Sequence, residues 1–208
     1  MRDFDRWLLV MVLLFCCATG TYAQEKKWEH NFYVSVGEFI ETGTIEDEKH
    51  NVNGITTRLG YGLNYYFSES FSVMPGLALH DDIEKPFKDW DDKNYDHFNF
   101  LDVPVVAQYH IAAGIGKLMF GFGPVFSFSI YNDTYDTAEG WVPNHPLKGK
   151  TKIKTFNFSV MPCVAYETKR MRFVLDGSLG LLDVQKKYGK LDGTKYLHNV
   201  CMTVGVKI

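Results

Sequence analysis

The chain has 208 residues, 46% of them hydrophobic and 15% aromatic, yet its mean hydropathy is slightly negative at −0.16. The length suits one domain. The hydropathy excludes a polytopic helical membrane protein, and a net charge of −3 gives no general pull toward nucleic acid.

Residues 1–23 read as a secretory signal peptide. Arg2 and Arg6 precede an apolar run from Trp7 to Cys17, and Thr21-Tyr22-Ala23 offers a small-x-small cleavage site. The run is too short to span a bilayer as a helix. Cleavage after Ala23 leaves residues 24–208 as the mature domain and removes Cys16 and Cys17.

The mature chain then alternates apolar and polar residues with period two, the pattern of half-buried β-strands. The first strand runs from Trp28 to Phe39, with Phe32, Val34 and Val36 on one face. The second, Gly54 to Phe67, sets Leu59, Tyr61, Leu63 and Tyr65 against Arg58, Gly60, Gly62 and Asn64. After the turn Ser68-Glu69-Ser70, a third carries Phe71, Val73, Pro75, Leu77 and Leu79 on its apolar face. The fourth and fifth form a hairpin, Leu101 to Tyr109 and Leu118 to Ile130, around an Ala-Ala-Gly-Ile-Gly link. The sixth spans Thr155 to Tyr166, the seventh carries Met171 to Leu181, and the eighth runs from Tyr196 to Ile208.

Connections alternate in length. Long polar segments, residues 41–53, 81–97, 131–154 and 183–195, follow the odd-numbered strands, while short turns follow the second, fourth and sixth. The second face of the strands is crowded with small residues such as Gly60, Gly62, Gly121, Gly123, Ser127 and Ser159. A narrow lumen needs such residues, whereas a soluble exterior favours long polar ones. The expectation is therefore all-β: an eight-stranded antiparallel up-and-down transmembrane β-barrel, greasy face to lipid, in an outer membrane with both termini on the periplasmic side. Pro75, Pro104, Pro124 and Pro162 fall inside strands, where each removes a ladder hydrogen bond, so bulges or frayed pairing are expected around them.

By the same parity Arg58, Asp102, Gln108, Arg172 and Asp176 form a polar cluster in the lumen, with His80, His110, Asn64, Asn157 and Asn199. Buried charges must be paired, and Arg58 is expected to reach across the third strand to Asp102. The pair plugs the lumen, since eight strands enclose no open water channel. Cys163 and Cys201 face inward on strands too far apart for a disulfide and are expected to be free thiols.

The loops offer fewer signals. The acidic stretch 81–97 lacks the glycine turn and terminal glutamate of a calcium loop and reads as solvated. Lys148, Lys150, Lys152 and Lys154 stand at alternate positions and are candidates for contact with lipopolysaccharide phosphates. His50, His80, His97 and His145 lie near the outer rim, but no serine, histidine and acid constellation can be placed by spacing, so no enzyme is expected. No motif calls for a cofactor or a metal.

Phe100-Leu-Asp-Val-Pro-Val-Val-Ala-Gln-Tyr109, the Gly121-Phe-Gly-Pro-Val-Phe-Ser-Phe-Ser-Ile130 strand and Gly180-Leu-Leu-Asp183 resemble strands of the Bacteroidetes-type outer-membrane β-barrel family, the porin-like or PorT-like proteins. The terminal Ile208 departs from the aromatic residue usual there. The resemblance implies insertion by the barrel-assembly machinery and permits a protein partner at the external loops. The function expected is a non-enzymatic structural, interaction or assembly component; a small porin-like channel and a rim-sited lipid-modifying enzyme are the alternatives.

Overall fold

The computed structural model describes residues 27–45, 48–84, 94–136, 140–144, 153–185 and 193–208. The expected signal peptide lies outside them. Nine strands are described: β1 (Trp28–Ile45), β2 (Glu48–Tyr66), β3 (Phe71–Glu84), β4 (Asn94–Ala113), β5 (Gly116–Asp136), β6 (Gly140–Asn144), β7 (Phe156–Glu167), β8 (Met171–Gly180) and β9 (Gly193–Lys207). Antiparallel ladders run from β1 round to β5, on through β7 and β8 to β9, and β9 closes on β1. Eight strands thus make a closed barrel, and β6 folds back on the outer end of β5.

Period-two alternation sets the wall's two faces. Val34, Leu59, Leu79, Phe122 and Leu175 are each at least half exposed on the outside, while Ser35, Arg58, Ala78, Gly123 and Asp176 beside them are buried. Closure leaves the wall no open edge, and the apolar outer band with a polar interior is the construction of an outer-membrane-type barrel. The described chain ends meet at the short-turn end, where His30 and Ile208 exchange backbone hydrogen bonds of 3.1 and 2.9 Å.

The prolines are absorbed without bulges. Two successive pairs are missing between Gly62↔Gly76 and Tyr65↔Val73 beside Pro75, and between Pro75↔Val105 and Ala78↔Asp102 beside Pro104. The same gap lies between Pro104↔Val125 and Ala107↔Phe122 beside Pro124, and between Val160↔Leu179 and Cys163↔Asp176 beside Pro162. Register resumes unchanged after each gap, and Pro124 and Pro162 keep their partners in the β5–β7 ladder. Among the described residues the register shifts elsewhere: Asn99 faces Tyr131 and Phe100 faces Ser129, so Ile130 is an extra residue in β5.

Several strands outrun their sequence-based bounds. Residues 41–53, expected as a loop, are mostly hairpin, with β1 and β2 paired as far as Ile45↔Glu48. Likewise β5 continues to Asp136 and is joined by β6 within the expected loop 131–154. A transmembrane strand needs only about 9–11 residues, so these ends stand beyond the apolar band. There the buried inward positions include charged Glu41 as well as apolar Val52, so the alternation of polarity that marks a strand in the sequence is lost.

Candidate functional site

The lumen is filled in layers. At the long-loop end Phe39, Phe98, Phe100, Ile153, Val184 and Leu197 form an apolar cluster, each at most 6% exposed. Four of these belong to wall strands. Ile153 and Val184 come from the connections before β7 and after β8, held by an Ile153↔Gln185 bridge, Lys154 N–H donating to the Val184 carbonyl (2.7 Å) and Val184 N–H donating to that of Lys195 (2.8 Å). Asp183 braces this cap, its Oδ1 accepting from the backbone N–H groups of Gln185 (3.0 Å) and Lys195 (2.9 Å). Burial raises the Asp183 pKa, but these hydrogen bonds and nearby Lys154 outweigh it and hold the carboxyl below its ordinary value.

Beneath the cap lies a charged layer. Arg58 Nη1 meets Asp176 Oδ1 at 3.0 Å, and its Nη2 donates to Asn199 Oδ1 (2.5 Å) and Cys201 Sγ (3.1 Å). The Thr203 hydroxyl donates to Asp176 Oδ2 at 2.7 Å. His80 stands between two carboxylates, Nε2 2.9 Å from Asp82 Oδ1 and Nδ1 2.9 Å from Asp102 Oδ2. The expected Arg58–Asp102 pair is therefore corrected. His80 sits directly opposite Arg58 on the intervening β3 and takes Asp102 for itself, so Arg58 turns the other way, across β1 and β9 to β8.

A second charged layer closes the short-turn end. Arg172 is ion-paired with Glu167 and donates through Nη2 to Gln108 Oε1 (3.0 Å). His110 Nδ1 lies 3.1 Å from Glu167 Oε2, and its Nε2 is 2.7 Å from the Ser72 hydroxyl. Lys207 Nζ joins it 3.9 Å from Glu167 Oε2 and also pairs with Glu29 at 3.1 Å. Between the charged layers Val106, Val125 and Met161 pack together beside a cavity of about 50 Å³. Arg58 Nε, Gln108 Nε2 and Asn31 Oδ1 border that mostly apolar cavity without a protein hydrogen-bond partner, and it is roomy enough for a water to meet them.

Arg58, Asp102, Gln108, Arg172 and Asp176 all point inward, but into two separate layers, with Gln108 and Arg172 in the lower. Two members escape the sequence reading: Glu167 looks like part of a charged turn, although it continues the inward parity of Asn157 to Ala165, and Asp82, expected in a solvated acidic stretch, is instead buried in β3 and ion-paired with His80. The cap was also unread, since single apolar residues in polar segments carry no period. Lys154 is half exposed, its Nζ 2.7 Å from the Asp183 carbonyl oxygen and 3.4 Å from the carboxylate. Lys148, Lys150 and Lys152 lie outside the described residues, as do the His50 and His145 side chains. Cys163 and Cys201 are free thiols.

No protein-family model matches the chain, and no curated protein does. Among solved structures it is similar to Neisserial surface protein A, at 14% identity and TM-score 0.49 over 85% of this chain and 97% of that one. It is also similar to Ail, the attachment invasion locus protein of Yersinia pestis, at 11% identity and TM-score 0.42 over 88% and 100%. The outer membrane protein OprG from Pseudomonas aeruginosa matches at 14% identity and TM-score 0.42 over 87% and 94%. At such values the likeness conveys no activity.

Proposed function

We propose that the chain is a non-enzymatic, non-conducting component of an outer membrane whose barrel anchors external segments for interaction or assembly. The observation that carries this reading is the layered lumen: among the described residues an apolar cap above two ion-paired layers encloses small cavities of about 50 and 20 Å³, far short of a water column. The termini are assigned to the periplasm because the short turns share their end. The strands quoted as resembling the Bacteroidetes-type, PorT-like family favour the same role, with insertion by the barrel machinery, no cofactor, and lipopolysaccharide and a protein as partners. Lys148, Lys150, Lys152 and Lys154 are assigned to the lipopolysaccharide contact.

Planar-bilayer recordings of the refolded mature chain test this. A silent membrane is expected, together with an unchanged lipid A mass after incubation. Steady unitary currents overturn the closed reading in favour of the small-channel alternative, and a shifted lipid A mass overturns it in favour of the enzyme.

A further inference from the structure

Sulfur gathers in the lumen. Of the five methionines that follow the expected cleavage site, Met74, Met119 and Met161 line the cavity of about 50 Å³ between the charged layers, and Cys163 lines it with them. Three of these four belong to one ladder. In the pairing of β5 with β7, Met119 faces Ala165, Gly121 faces Cys163 and Gly123 faces Met161, so each sulfur side chain is opposed by a residue bearing at most a methyl group. A Cβ added at Gly121 would lie 2.5 Å from Cys163 Sγ and 3.3 Å from Met119 Sδ. Both sulfurs therefore border the one spot that the missing side chain leaves open. Methionine often serves to fill irregular gaps in a core, but these sulfurs border space that is not filled.

The charges around the cavity restrict what can enter it. Arg58 and Arg172 both line it, paired with Asp176 and Glu167, and a divalent ion would add charge beside two guanidiniums. Among the described residues no three His, Cys, Asp or Glu side chains gather in a set that could hold a metal ion, so zinc lacks its usual ligands. A monovalent soft cation meets neither obstacle. Thiolate and thioether ligands select Cu(I), and the ion replaces the proton of the Cys163 thiol: the S–H bond breaks, a Cu–S bond forms, the proton leaves to water and the net charge is unchanged. Met74 is already engaged, since Arg172 Nη1 donates to its Sδ at 3.1 Å. Met161 Sδ is held more loosely, 3.8 Å from Arg58 Nη1.

We propose that Cys163 Sγ, Met119 Sδ and Met161 Sδ form a binding site for one Cu(I) ion. The site goes beyond the anchoring role proposed above, which needs no metal.

The test is a competition for Cu(I), kept reduced with ascorbate, between bathocuproine disulfonate and the mature chain refolded in the presence of the ion. Wild type keeps one Cu(I) per chain and no Zn(II) in a parallel sample. Cys163→Ser keeps none. Met119→Leu, which conserves volume, binds about tenfold more weakly, as for about 1.4 kcal/mol. Cys201→Ser removes the other inward thiol and binds like wild type; heat-modifiable gel migration verifies that all three variants fold. A wild type that keeps no Cu(I), a Met119→Leu variant that keeps it as tightly as wild type, or a Cys201→Ser variant that loses it as fully as Cys163→Ser overturns the proposal. Zinc retained in equal measure overturns it as well.

Discussion

The Arg58 guanidinium and the Asp176 carboxylate meet at 3.0 Å across the lumen, from strands β2 and β8 that are separated in the wall by β1 and β9. Strand number and ladder stagger set the barrel's diameter; an ion pair spanning the lumen adds a direct restraint across it. Breaking a buried pair leaves one uncompensated charge and costs about 3–5 kcal/mol, whereas an apolar replacement of both partners is close to neutral. Asp176→Ala should therefore lower the urea unfolding midpoint in lipid vesicles sharply, and Arg58→Met with Asp176→Leu should recover most of the loss. A double variant as weak as the sum of its singles would show that the two side chains act independently.

Tyr33 and Gly60 are cross-strand partners, and the Tyr33 ring lies over the glycine. A Cβ at position 60 would fall 2.2 Å from ring carbon Cζ. Gly60→Ala must displace an aromatic ring in a packed lumen, a penalty of about 1–3 kcal/mol. Equilibrium unfolding should register that loss, and adding Tyr33→Leu should relieve it.

The apolar cap shields the free Cys201 thiol in the layer beneath. In the refolded chain a charged, water-soluble thiol reagent should label Cys201 slowly. Ile153→Ser and Val184→Ser should speed labelling while leaving the global unfolding midpoint little changed, because both residues come from connections rather than wall strands. Labelling as slow as wild type in both variants would mean that the closure lies deeper.

Asp183 predicts a pH dependence of the cap. Its folded pKa is lowered below an unfolded value near 3.9, so its stabilisation is fully present above that value and fades as pH falls through the folded one. Protection of the Gln185 and Lys195 amides against hydrogen exchange, relative to their intrinsic rates, should fall below about pH 4, and Asp183→Asn should flatten that response.

Much of this protein was legible in its residues. The inward and outward faces follow from Leu59 against Arg58 and Phe122 against Gly121, because a strand's side-chain period of two is a local property and lipid punishes every error in it. The same rule placed Arg172, Asp176 and Gln108 in the lumen. Tertiary structure alone decided which charges meet: His80 intercepts Asp102 and sends Arg58 to Asp176, a choice among partners brought together only when β9 closes on β1. It also decided the cap, where Ile153 and Val184 enter from segments without alternation, and the flip of parity at Ile130, where one inserted residue turns Tyr131 outward. Periodicity encodes the face of a wall; partners, caps and recesses depend on distances between residues far apart in the chain, which only closure of the barrel fixes.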